Sequence, residues 1–266
     1  MRYFVHIAYN GNNFSGWQKL PGITSVQQVI ENTLSRILKK KISVAGCGRT
    51  DARVHASQFF FHFDLANAVD FDLMFRLNKS LPHDITIFDV IQMEGLPHAR
   101  FDAIHRSYDY YLHTQKDPYL VGLSSWYPLV NPDLTKMREA VEILPKYTDY
   151  GCFCKSPMKY EHTNCFVSEA ALFTNQDQTR LRFHISSNRF LAGMIRIIMG
   201  KLIEIGNGEL SVSEFENYLK SRVTPKTIIP VYAQGLYLSK VTYPYLDLPN
   251  KPVYNSGLVR EVKFKI

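Results

Sequence analysis

The sequence predicts an α+β fold in which two similar halves, each running β-α-β-β-α-β, join into a mixed, mainly antiparallel sheet. Three observations predict it. Short runs of alternating apolar and polar residues read as strands, because side chains on a strand point to opposite faces in turn. Longer stretches repeat their apolar residues at three- and four-residue steps, the spacing of one helix face. The order of these patterns in residues 1–105 recurs in residues 106–266, without the short period of a solenoid.

Residues 2–9 alternate as a strand and lead into a polar loop containing Gly11 and Gly16. Ser25 has the chemistry of an N-cap for a helix running to Lys40, with Val26, Val29, Ile30, Leu34, Ile37 and Leu38 on one face. Lys39, Lys40 and Lys41 suit the negative end of that helix dipole, and a phosphate contact is the other use open to them. Strands are expected at 42–47, 57–63 and 84–93, with a helix at 71–80. This is the split βαβ arrangement, the ferredoxin- or RRM-like unit, with helices covering one face of the sheet. The second half offers strands at 105–114, 165–173, 180–187 and 233–241, and helices at 133–144, 190–205 and 212–221. An extended tail is expected from about residue 244, with Pro249 and Pro252 in it. Two such sheets joined edge to edge leave a cleft between their open faces.

The composition fits a packed core: 45% of the 266 residues are hydrophobic and 13% aromatic. The formal charge of +7 would make the cleft basic and suits a polyanionic partner. The first ten residues already alternate and carry no apolar core behind a basic head, so no export signal is expected. The longest apolar run, from Phe190 to Ile205, is interrupted by Arg196 and Lys201 and is short for a bilayer. A cytoplasmic protein is expected. Its four cysteines, Cys47, Cys152, Cys154 and Cys165, then form no disulfide framework. Cys152, Cys154, His162 and Cys165 could close a zinc site, but the single residue between the first two is short for one. Buried or partly exposed free thiols are the plainer reading.

The stretch GCGRTDARVHAS (46–57) sets Asp51 between Arg49 and Arg53 in a strand-to-strand connection. The flanking cations favour the ionised carboxylate, which suits a nucleophile; a salt-bridged turn is the alternative. Without a second acidic residue nearby, a metal is not expected. Arg196 sits in FLAGMIRIIMG, a helix apolar nearly all round. A buried guanidinium there needs a partner, and pairing with Asp51 would satisfy both; otherwise it reaches out to solvent. In YDYYL, Tyr108 and Tyr110 share one strand face and Tyr111 takes the other. A tyrosine facing the cleft offers a base a ring to stack on. His55 reads as a structural histidine hydrogen-bonded within the turn.

GRTDARVHA is similar to the signature of the TruA family of tRNA pseudouridine synthases, and the likeness runs through almost the whole chain. YNGNNFSGWQ (9–18) and SVQQVIENTL (25–34) resemble the family's N-terminal loop and first helix. HARFDA (98–103), RSYDYYL (106–112), FLAGMIRIIMGKLIEIG (190–206) and AQGLYL (233–238) follow in the family's order. The resemblance implies isomerisation of uridine to pseudouridine in the anticodon stem-loop of tRNA, by a cytoplasmic homodimer needing no cofactor and no metal. It implies that Asp51 is the catalytic aspartate, Tyr108 the substrate-stacking tyrosine, Arg196 the arginine paired with Asp51, and Arg49 an arginine holding a flipped nucleotide. Arg53 stands where the family has glycine, so that position needs either a positive φ or only room; facing outward, Arg53 would be an RNA contact. A non-catalytic RNA-binding protein of the same fold is the rival expectation, and a hydrolase using Asp51 with His55 a second.

Overall fold

The computed structural model describes residues 1–249; the remainder of the expected tail, Pro252 included, lies outside the described residues. Along the chain run β1 (Arg2–Tyr9), α1 (Val26–Leu38), β2 (Ala45–Gly46), β3 (His55–Asp64), α2 (Leu73–Ser80) and β4 (Ile85–Met93). There follow β5 (His105–His113), β6 (Ser125–Trp126), α3 (Leu134–Ile143), β7 (Val167–Thr174), β8 (Arg180–Ser187), α4 (Met194–Gly206), α5 (Val212–Ser221) and β9 (Leu236–Thr242). The class is α+β, as the patterns predict. The chain divides into two compact units, one of Met1–Arg106 with residues 237–249, the other of Ser107–Leu236.

In the first unit the strand order is β4-β1-β3, with β2 and β9 both pairing with β3. The β1 pairings with β3 and β4 are antiparallel. β9 joins in parallel, with His55 opposite Tyr237 and Ala56 opposite Leu238. The last strand, read from the sequence as the end of the second half, therefore lies almost wholly in the first unit. Ser25 caps α1, its side chain accepting from Gln28 N–H at 3.3 Å, and Asp72 caps α2 by accepting from Phe75 N–H at 2.9 Å.

β3 is buried over nine of its ten residues, which explains its FFF run: both of its faces are covered. Phe59, Phe61 and Phe63 meet Tyr9, Trp17 and Tyr3 on one face. On the other, Phe60 meets His6 and Tyr243, and His62 meets Phe4. Cover on one face alone would give alternation, whereas two-sided burial gives a continuous apolar run. The tail that supplies Tyr243 is not extended at its start, since a bridge between Tyr243 and Leu246 closes a turn.

The strand expected at 42–47 shrinks to two residues because side chains take its backbone groups. Ile42 N–H donates to Ser35 Oγ at 2.9 Å, and Val44 N–H to Glu31 Oε1 at 3.1 Å. Gln27 Nε2 donates to the Val44 carbonyl at 3.1 Å. Glu31, only 7% exposed, is further satisfied by Lys19 Nζ at 2.9 Å, so its burial leaves no charge unmatched.

The second unit orders its strands β5-β8-β7, with β6 beside β5. The β7–β8 hairpin is antiparallel, and α3 packs on β7, α4 and α5. α4 starts at Met194, four residues later than its apolar run suggests. Gly193 takes φ 75° at its N-cap, a left-handed turn that ends any helix entering from Phe190. Beyond that point α4 buries Met194, Ile195, Ile197, Ile198, Leu202 and Ile205.

Candidate active site

The connection between β2 and β3 holds Asp51 in a turn clamped by the loop at residues 10–18. Val54 N–H donates to the Asp51 carbonyl at 3.2 Å, closing a four-residue turn. Its third residue, Arg53, has φ 65°, the position and backbone sign that favour glycine. Of the two expectations for this position the positive φ is the one found, and Arg53 carries it while its side chain is exposed. Arg53 N–H donates to the Phe14 carbonyl at 3.1 Å, and Trp17 N–H to the Thr50 carbonyl at 3.2 Å. The Thr50 hydroxyl meets the Tyr9 hydroxyl at 2.9 Å in a buried contact.

Two glycines permit this clamp. A Cβ on Gly11 would stand 2.0 Å from the Val54 carbonyl oxygen, and one on Gly16 (φ 90°) would stand 2.3 Å from that of Thr50. His55 belongs to the same framework. Its Nδ1 accepts from Gly11 N–H at 3.0 Å, which places the ring proton on Nε2, and its ring stacks on Tyr237 at 4.4 Å. Being 1% exposed, it holds the turn, and the hydrolase reading loses its base.

Thr50 is buried beneath the turn, whereas Asp51, Arg49 and Arg53 are exposed on it. A carboxylate is thus presented on a backbone whose neighbours are fixed by hydrogen bonds and close packing, the preorganisation a nucleophile needs. Beside it an open pocket of about 280 Å³ is lined by Trp17, Gly46, Gly48, Arg49, His98, Arg100 and Phe101 among others. Arg106 ties this region together, its Nη2 donating to the carbonyls of Cys47 and Arg100, both at 2.8 Å. Neither the role of Arg106 nor this pocket is legible in the sequence. The only signal was the closeness of HARFDA and RSYDYYL along the chain.

Tyr108 and Arg196 belong to the second unit. Tyr108 is half-buried on β5, and its ring meets Phe190 edge-on at 5.1 Å and 82°. Tyr110, on the same strand face, is fully buried, and its hydroxyl donates to the Tyr232 carbonyl at 2.8 Å. Burial raises the Tyr110 and Tyr127 phenols, and the nearby Arg196 charge partly offsets this in both. Arg196 is half-buried, with Nε donating to the Val231 carbonyl at 2.7 Å. Val231 N–H in turn donates to the Arg196 carbonyl at 3.1 Å. The guanidinium is held within the fold, as its place in an apolar helix suggests, and does not simply extend into solvent. Lys155, unremarked in the sequence, packs over Gly193, where a Cβ would come within 2.9 Å of its Cγ.

The zinc alternative does not assemble. Cys152, Cys154 and Cys165 are buried, and burial pushes the Cys152 thiol up to about 12 and the Cys165 thiol up to about 11. His162 lies instead against Arg189, 3.2 Å from Nη1. Among the described residues no three His, Cys, Asp or Glu side chains converge as a metal site requires. No helix among them is long and apolar enough to cross a membrane.

A family model described as tRNA pseudouridine synthase matches residues 147–244. The chain is 40% identical over 248 residues to the tRNA pseudouridine synthase A of Porphyromonas gingivalis, spanning 91% of this chain and 97% of that protein. With the protein of the same name from Parabacteroides distasonis it shares 37% over 246 residues, 91% of this chain and 96% of that one. With that of Staphylococcus aureus (strain MRSA252) it shares 33% over 251 residues, 93% and 92% respectively. Identity at this level across nearly the full length of both partners shows that the chain belongs to the tRNA pseudouridine synthase A family.

Proposed function

We infer that this protein isomerises uridine to pseudouridine in tRNA, with Asp51 as the nucleophile. The observation that carries the activity is the 40% identity, over 91% of this chain, to a protein named tRNA pseudouridine synthase A. The clamped turn that presents Asp51 supports its role. The target nucleotide first leaves its stack, at a cost of a few kcal/mol. A carboxylate oxygen of Asp51 bonds to C1′, so that the N1–C1′ bond breaks and its electron pair goes to the uracil. The uracil turns while held, C5 bonds to C1′ as the bond between Asp51 and C1′ breaks, the C5 proton leaves to solvent and N1 takes up a proton. The product has the composition of the substrate, so no redox partner or co-reactant enters.

Tyr108 supplies the ring on which the uracil is held, supported from the side by Phe190. Arg196 supplies positive charge toward the anionic stages, and Arg49 holds the flipped nucleotide. Arg53 meets a phosphate from the rim of the turn. The substrate region is the anticodon arm, and the enzyme acts as a cytoplasmic homodimer. A net charge of +7 supports an RNA substrate, since phosphate contacts dominate nucleic-acid affinity.

Release of tritium from tRNA labelled at uracil C5 tests the activity, because hydrogen leaves that carbon only if it forms the new bond. Stoichiometric release by the purified protein is the expected result. Tight tRNA binding without release would contradict the proposal and favour a protein that only binds RNA.

A further inference from the structure

The open pocket beside the Asp51 turn has an exposed aromatic wall that the proposed chemistry does not use. Phe101 is 76% exposed, although an isolated protein gains nothing by holding a phenyl ring in water. Exposed apolar side chains are common singly, so exposure alone carries little. What distinguishes Phe101 is how firmly its turn is held and what surrounds it.

The turn at residues 98–103 is fixed from several sides. His98 Nδ1 accepts from the N–H groups of Arg100 and Phe101, at 3.0 and 3.3 Å. Asp102 Oδ2 accepts from His98 N–H at 2.8 Å and from the Tyr245 hydroxyl at 3.0 Å. Tyr243 donates its hydroxyl to the Ala99 carbonyl at 2.6 Å, and Ala99 N–H donates to His62 Nδ1 at 3.1 Å. The Arg106 guanidinium binds the Arg100 carbonyl at 2.8 Å. Phe101 therefore projects from a rigid base, with the His98 ring 4.3 Å away and the Arg100 guanidinium 5.9 Å from its centroid. With Nδ1 engaged as an acceptor, His98 keeps its ring proton on Nε2 as a donor. Arg49 lines the same pocket.

A rigid ring, a guanidinium and a ring N–H donor around one opening make a stacking and phosphate-binding surface for single-stranded nucleic acid. At about 280 Å³ the opening is at the small end of ligand pockets, which suits one nucleotide. We propose that this pocket is a second nucleotide subsite, in which a base of the bound tRNA other than the one isomerised stacks on Phe101 while Arg100 meets its phosphate. The proposal rests on tRNA being the substrate. Phe101, Arg100 and His98 are then affinity contacts that hold a neighbour of the target uridine.

The test uses the full chain and a tRNA transcript, measuring Kd, KM and kcat for Phe101→Ala, Phe101→Leu and Phe101→Trp. So exposed a side chain can be replaced without unfolding the protein, which circular dichroism verifies. Phe101→Ala and Phe101→Leu are expected to raise Kd by about 5- to 100-fold, with the loss seen in KM rather than kcat. Phe101→Trp, which keeps a stacking ring, is expected to restore binding. An unchanged Kd in Phe101→Ala, or rescue by leucine equal to that by tryptophan, would overturn the subsite. Wild-type tritium release in the same assay separates the two claims. An active wild type with an unaffected Phe101→Ala removes the subsite alone, and a wild type that binds tRNA without release removes only the isomerase reading. A wild type that does neither removes both.

Discussion

Arg53 holds a left-handed backbone, φ 65°, at the turn position where glycine is the favoured residue. That conformation costs an L-residue about 1–2 kcal/mol, while glycine would return part of the gain through a freer unfolded chain. Arg53→Gly is therefore expected to change stability by no more than about 1 kcal/mol, on the stabilising side. Losing one phosphate contact should reduce the slope of log affinity against log salt by about 0.7–0.9, an effect on binding rather than on kcat. A large gain in kcat would show that the arginine faces inward and obstructs Asp51. At this scale the sequence was informative where a residue broke a pattern: Arg53 in a glycine position, Arg196 in an apolar helix. It was silent on Phe101, one of 17 phenylalanines, because exposure depends on how a turn is pinned by residues 62, 106, 243 and 245.

At the level of elements, the loop at residues 10–18 is what makes the Asp51 turn rigid. Gly16→Ala adds a methyl group 2.3 Å from the Thr50 carbonyl oxygen at φ 90°. The expected result is a stability loss of at least about 1–2 kcal/mol, read by thermal unfolding, and a larger proportional loss in kcat than in tRNA affinity. Full activity in a stable variant would show that the clamp is dispensable. β3 supplies a second test. Burial, aided by the nearby Arg2 charge, lowers His62 from 6.5 to about 4, and its Nδ1 accepts from Ala99 N–H. Between those values the unfolded chain binds a proton that the native state does not. Stability contributed by neutral His62 is thus present above pH 6.5 and lost as pH falls toward about 4, by up to about 1.4 kcal/mol per pH unit. Chemical denaturation of His62→Gln across this window should show a shallower fall; equal slopes would contradict the assignment. Helices with side-chain caps were legible to within a residue or two at their starts, as α1, capped by Ser25, and α5, whose N-cap proves to be Ser211, show. β2 and the start of α4 were not, because Glu31, Gln27 and Ser35 claim the backbone of one and the backbone angle of Gly193 delays the other.

For the whole molecule, the alternation of strand and helix patterns carries the α+β class, because periodicity reports which faces are buried. Assignment of β9 escaped it, since a strand's pattern shows that it pairs but not with which neighbour; His55–Tyr237 stacking and the Gln58 contact with Val241 N–H at 2.9 Å bind it to β3. In the proposed mechanism a structurally fixed turn presents Asp51 as a nucleophile to tRNA. Asp51→Asn tests it most directly, because the exposed side chain keeps its shape and loses only its charge. Tritium release from uracil C5 should fall by orders of magnitude, while tRNA affinity stays within about tenfold of wild type because phosphate contacts dominate it. Release at near the wild-type rate by a correctly folded Asp51→Asn protein would contradict the nucleophilic role of Asp51.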